Sequence, residues 1–175
     1  MSDKKSLIIY FSRAGENYFG GDIKYIDKGN TEVIAEYISE ITGADMFKVE
    51  PLKPYSDDYT ECINEAKVRT SNHDAPIKEN IPDITGYEVI YVGFPIYWGG
   101  MPEELYTALK GYDFSGKIIR PFITHEGSGL SGVPGQLSEI CIGAYVDEGL
   151  AISGSRVSDS KLDVNSWILR RRLDG

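Results

Sequence analysis

The stretch "SLIIYFSRAGENYFGGDIKYIDKGNTEVIAEYI", residues 6–38, decides the fold. It opens on a short apolar run of β-branched and aromatic residues, the composition of a strand covered on both faces of a parallel sheet. It closes as an amphipathic helix, in which Val33, Ile34, Tyr37, Ile38 and Ile41 recur at three- and four-residue spacings and Gly43 supplies the stop. A strand feeding a helix through small and hydroxyl residues suits a phosphate. The first N–H groups of the helix lack intrahelical acceptors and carry partial positive charge, and Ser12 and Thr31 add hydroxyl donors. Asn30 and Thr31 serve equally well as a plain helix cap. No Walker-type lysine is present, which disfavours a nucleoside triphosphate. The join is interrupted by "ENYFGGDIKYIDKG", residues 16–29, where Tyr18, Phe19, Ile23, Tyr25 and Ile26 alternate with polar residues and glycines. This pattern predicts a small β-hairpin turning about Gly20 and Gly21 or at "DKGN"; a plain surface excursion is the alternative.

Two further runs look like the first, "YEVIYVGFP" at 87–95 and "GKIIRPFIT" at 116–124, and a weaker pair, "ADMFKVE" at 44–50 and "YVDEGLAIS" at 145–153, completes five strands. Helical patterns lie between them. "DDYTECINEAKVRT" puts Tyr59, Ile63, Ala66 and Val68 on one side behind Asp57 or Asp58 as a cap. "MPEELYTALKGY" has Pro102 in its first turn and Gly111 at its stop. Further helices are expected near 132–142 and 160–172, the last capped by Ser158 or Asp159. Alternating strands and helices predict an α/β fold, a doubly wound five-stranded parallel sheet, with residues 1–175 in a single domain. A chain of this length buries roughly 70% of its unfolded surface, so no covalent staple is needed.

Composition excludes several classes. With 41% hydrophobic and 26% charged residues and no long apolar run, the sequence reads as an ordinary globular protein without a membrane span. "MSDKK" leads directly into a strand, without the apolar stretch of a signal peptide, so a cytoplasmic location is expected. The 27 acidic residues outnumber 18 basic ones, a net charge of −9 that disfavours nucleic acid and anionic membranes and suits a basic partner surface. "RRR" at 170–172 reads as a cationic complement to the dipole of the last helix. Cys62 and Cys141 lack disulfide or metal spacing and are expected to be buried thiols.

In open α/β sheets, ligands bind outside the carboxyl ends of the strands near the switch in strand order, so the loops after the first, third and fourth strands carry the chemistry. In "PIYWGGMP", 95–102, two large aromatics precede two glycines. That fits a flat π ligand, with a ring to stack and glycines to admit close backbone approach; an aromatic covering the sheet edge is the alternative. In "THEGSGLSG", 124–132, His125 adjoins Glu126, but no second histidine lies nearby and His73 is distant in sequence, so no metal site is expected. The close glycines point instead to backbone N–H groups wrapping the polar edge of a ligand.

Together these segments, "IIYFSRAGENY" with "GNTEVIAEYI", "GFPIYWGGMP" and "FITHEGSGL", resemble the flavodoxin family over nearly the whole chain. The resemblance implies a strand order of 2-1-3-4-5 and flavin mononucleotide (FMN) as cofactor. It implies that Ser12, Ala14, Asn30 and Thr31 hold the phosphate. Pro95, Ile96, Tyr97, Trp98 and Gly99 would line one side of the flavin, with Trp98 stacking, and Glu126, Gly127, Ser128 and Gly129 would wrap the other edge. Gly99 or Gly100 would turn a carbonyl toward the flavin on reduction. This chain departs from many flavodoxins in having Gly100 where an acidic residue follows that glycine, and in lacking a second aromatic after its fourth strand. The outer flavin face is then covered by His125 or Leu130, or left open. The implied activity is low-potential electron transfer with redox partner proteins bearing basic docking surfaces. An NAD(P)H-dependent FMN or quinone reductase of the same fold is the alternative. A phosphoacceptor receiver is disfavoured, because Tyr10, Phe11, Ser12 and Arg13 stand where it would need clustered acids. No feature demands an oligomer, and a monomer is expected. The inserted hairpin is expected beside the phosphate end, presenting a partner-facing surface.

Overall fold

The computed structural model describes residues 5–19, 22–96, 100–125, 127, 129–130 and 132–174. In chain order the elements are β1 (Ser6–Tyr10), β2 (Gly15–Phe19), β3 (Asp22–Ile26), α1 (Asn30–Thr42), β4 (Asp45–Lys48), α2 (Tyr59–Asn72), β5 (Val89–Pro95), α3 (Glu103–Leu109), β6 (Ile118–His125), α4 (Val133–Ile140), β7 (Tyr145–Val146), β8 (Leu150–Ser153), a 3-10 turn (Gly154–Asp159) and α5 (Lys161–Asp174). The main sheet runs β4-β1-β5-β6, with β7 and β8 both pairing β6, and every pairing in it is parallel. Counted by position this is the expected order 2-1-3-4-5.

Strand residues alternate between two apolar layers, as a sheet covered on both faces requires. Leu7, Ile9, Phe11, Ile90, Val92, Phe94, Ile119 and Ile123 join α3 and α4, while Ile8, Tyr10, Tyr91 and Phe122 join α1 and α5. Cys62 and Cys141 are buried. None of the described helices is long and apolar enough to cross a membrane.

The fifth strand departs from expectation, being two short pieces rather than one run over 145–153. The cause is Pro121. The Asp147 amide donates to the Ile119 carbonyl at 2.8 Å, so the alternate residues of β6, Pro121 among them, aim their main-chain groups at the fifth position. Proline has no N–H to give, and pairing lapses between Ile119↔Val146 and Phe122↔Leu150. The Glu148 carbonyl in the gap accepts instead from Trp167 Nε1 at 2.9 Å. Arg120, 2% exposed, lies 4.4 Å from the Trp167 ring and donates to the Trp167 carbonyl at 2.8 Å, which fastens α5 to the sheet.

The hairpin forms as an antiparallel pair registered from Gly15↔Ile26 to Phe19↔Asp22. That register selects reversal between Phe19 and Asp22 over a turn at "DKGN"; Gly20 and Gly21 themselves lie outside the described residues. Smaller corrections concern helix ends. Asp58 caps α2 by accepting from Glu61 N at 2.9 Å, but Val68 is 57% exposed rather than on the buried side. Pro102 is the N-cap of α3 rather than inside it. Ser158 and Asp159 lie in the 3-10 turn, and it is the Ser160 carbonyl that accepts the first α5 bond, from Val164 N at 2.9 Å.

Candidate functional site at the strand carboxyl ends

Register places Tyr10 beside Gly93 and Pro95 beside Thr124, so the loops that follow β1, β5 and β6 leave the sheet next to one another. In the first loop Ser12 Oγ accepts from the Glu32 amide at 3.0 Å, occupying the third helical N–H of α1 from outside the helix. The N-cap is Gly29, not Asn30, which becomes the first helical residue. A Cβ on Gly29 would strike Ser12 Oγ and lie 2.8 Å from the Arg13 amide nitrogen and carbonyl oxygen. The two halves of the interrupted loop therefore touch across the insertion. Having accepted one amide, the Ser12 hydroxyl keeps its own hydrogen to donate, and the amides of Asn30 and Thr31 have no intrahelical acceptor. Ala14 is exposed at the loop mouth. The Thr31 side chain is placed otherwise than expected: it is 1% exposed, its Oγ1 2.9 Å from Thr124 Oγ1, and it ties α1 to the end of β6.

The second loop is anchored at both ends. Half-buried Ile96 donates its amide to the Thr124 carbonyl at 3.1 Å, extending the β5–β6 ladder past Pro95. Met101 donates its amide to Gln136 Oε1 of α4 at 3.1 Å, and a Cβ on Gly100 would lie 2.6 Å from Gln136 Nε2. Tyr97, Trp98 and Gly99 lie outside the described residues. In the third loop the Gly127 amide donates to His125 Nδ1 at 2.8 Å, which places the proton of the neutral ring on Nε2. Gly127 and Gly129 take φ of 121° and 63°, left-handed values open to glycine. Glu126 and Ser128 lie outside the described residues. Leu130, one of two residues considered for the outer face, is half-buried, packed against the core with a methyl over Gly149.

A second tier braces these loops. Arg13 Nη2 donates to the carbonyls of Ser56, Asp57 and Asp58 at 2.6, 2.9 and 3.4 Å. Tyr55 sits edge-on to Phe11, its ring 3.9 Å from the Arg69 guanidinium, and donates its hydroxyl to Glu104 Oε1 at 2.9 Å. Arg69 binds the other Glu104 oxygen at 2.7 Å. Burial, reinforced by Glu104, holds the Tyr55 phenol far above its ordinary range. Burial also raises the neighbouring Glu103 carboxyl, 3.6 Å from His73, although that contact pulls the other way. A cleft of about 440 Å³ along α2, lined by Lys53, Glu65, Arg69 and Asp74, shares no residue with the strand-end loops.

The family model described as Flavodoxin matches residues 23–170. The chain belongs to the flavodoxin family. No curated protein matches it. Among solved structures, the chain is similar to one described as a flavoprotein from Bacteroides eggerthii, at 23% identity over 94% of this chain and 95% of that one, with a TM-score of 0.73. It is also similar to a flavoprotein in complex with FMN from Lactobacillus acidophilus, at 22% identity over 89% and 97% of the two chains, TM-score 0.61. An NADH:FMN oxidoreductase in its apo form shares the fold at 14% identity over 98% and 90%, TM-score 0.54.

In this chain Ser12, Ala14, Pro95, Ile96, Gly127 and Gly129 follow or end the three adjacent strands, and Asn30 opens α1 beside the first loop. Sequence reasoning missed four residues that build the same place: Gly29, Arg13, Thr124 and Gln136. Gly29 stood in the quoted "GNT", and Thr124 is a lone hydroxyl ending the apolar run "RPFIT". Arg13 and Gln136 carried no signal, because their partners are distant in sequence.

Proposed function

We propose that this flavodoxin is an FMN-binding electron-transfer protein, a low-potential carrier between redox partners. Membership of the family makes FMN the cofactor, and the residues present fit it. The observation that carries the reading is the closed phosphate cradle: Gly29 seated on Ser12 and Arg13, with Ser12 Oγ on the Glu32 amide, despite the insertion between them. Ser12, Ala14, Asn30 and Thr31 would hold the phosphate, Thr31 through its main chain. Pro95, Ile96, Tyr97, Trp98 and Gly99 would line one flavin face, and Glu126 to Gly129 would wrap the edge. When bound, the flavin supplies the one- and two-electron chemistry. The protein's part is to fix the phosphate, shield the ring, and present Nε2–H of His125 beside the third loop. The acidic surface, with Asp57, Asp58 and Glu61 exposed near the phosphate loop, suits basic docking surfaces on partner proteins. Titration of the purified chain with FMN, followed in the visible spectrum, tests the reading; failure to bind one equivalent sinks it.

A second reading, an NAD(P)H-dependent FMN or quinone reductase, draws support from Leu130. With that side chain packed against the core and no aromatic in the loop after β6, the outer flavin face would be left to His125 or open to a small reductant. Rapid NAD(P)H oxidation with a quinone and no added partner would favour the reductase. Two resolved one-electron steps in an anaerobic reductive titration would favour the carrier.

A further inference from the structure

We propose that Arg13 is a positioning residue for the cofactor phosphate and sets the chain's preference for FMN over riboflavin. The inference rests on the FMN reading above. One guanidinium nitrogen of Arg13 gathers three consecutive carbonyls, those of Ser56, Asp57 and Asp58, from a loop more than 40 residues away. That loop is itself fixed. Ser56 donates its amide to Glu65 Oε1 at 2.8 Å, Asp58 donates its amide to Ser56 Oγ at 3.1 Å, and Asp58 caps α2. The main chain of Arg13 lies under Gly29, and Gly15, two residues on, sits at φ 95° with its missing Cβ 3.1 Å from Asp57 Oδ1. Arg13 and Gly15 thus seat both flanks of Ala14 on the same rigid loop, at the point where the hairpin departs. Without Arg13 the segment is free to follow the hairpin, and the Ser12 hydroxyl and its neighbouring amides lose their common aim. A phosphate monoester, close to a dianion at neutral pH, needs those donors held to a common aim. A ligand without the phosphate does not.

The test measures dissociation constants of FMN and of riboflavin for wild type, Arg13→Gln and Arg13→Lys, with thermal unfolding as the control for folding. Arg13→Gln is expected to weaken FMN by about tenfold or more, the size of a lost charged hydrogen-bond set, and to leave riboflavin within about twofold. Arg13→Lys is expected to fall between, since an ammonium keeps the charge but not the reach of the planar guanidinium. An equal loss for both ligands, or none for FMN, overturns the proposal. If Arg13→Gln does not fold, Arg13→Lys decides, and an unchanged ratio of FMN to riboflavin affinity counts against it. Wild type that binds no FMN refutes the functional reading itself, which a failure confined to the variants does not.

Discussion

Gly29 has no room for a side chain. Its Cβ position is taken by Ser12 Oγ and by the main chain of Arg13, so Gly29→Ala must push apart the two halves of the phosphate loop. Overpacking of this kind costs about 1–3 kcal/mol, to be read from urea unfolding, and the displaced Ser12 is expected to weaken FMN binding in parallel. Glu104 poses the opposite problem, since its fully buried carboxylate is held by Tyr55 and Arg69. Glu104→Ala leaves Arg69 largely buried without that carboxylate, which costs about 3–5 kcal/mol. Glu104→Gln keeps one acceptor for Tyr55 and is expected to lose less in the same measurement. No loss for alanine would show that the ion pair contributes nothing.

At the level of elements, the hairpin is the feature that sets this chain apart from a compact phosphate loop. Its β2 strand lies against α2 and the 3-10 turn, while Ile23 and Tyr25 of β3 are 50% and 59% exposed. Because Ser12, Gly29 and Glu32 close the loop without it, shortening the hairpin between residues 18 and 24 is expected to leave FMN affinity within about twofold. Electron transfer to a protein partner, followed by stopped flow, is expected to slow; a large loss of FMN affinity would make the hairpin part of the cofactor site. Most of this architecture was legible in the sequence because strand and helix periodicities are local. The double apolar coverage of β1, β5 and β6 could be read directly from "SLIIYF", "VIYVGF" and "IIRPFI". What escaped was set by partners far along the chain. The lapse in the fifth strand is written in Pro121, on a different strand, and the packing of Leu130 against Gly149 joins residues of two separate loops. The cap fell to Gly29 because Ser12 supplies the side-chain acceptor that Asn30 was expected to provide.

For the whole molecule, the buried protonated groups predict how stability responds to alkali. Burial pushes the Cys141 thiol up to about 12, and burial with Glu32, Glu36 and Glu50 pushes the Tyr10 phenol up to about 12; Tyr55 is raised as well. The unfolded chain releases these protons first, from the ordinary values of 9.0 for the thiol and 10.0 for the phenols. Stability from this source is therefore complete below about pH 9 and is lost as pH rises toward about 12. Unfolding free energies measured across that range should decline, with a later onset in Cys141→Ala; a flat profile would show that none of the three groups stays protonated in the fold. The −9 charge gives a second global expectation, that electron transfer to a basic partner slows as ionic strength rises. The hairpin also bears on how such a protein changes over time. Gly15 pairs directly with Ile26, so the insertion leaves and re-enters the chain at neighbouring points. Exchanging it for a peptide of another length alters loop-closure entropy only slowly, by about 0.6 kcal/mol per doubling. If the hairpin faces a partner as proposed, it would behave as a cassette, its sequence exchangeable between fixed ends with the cofactor pocket left unchanged.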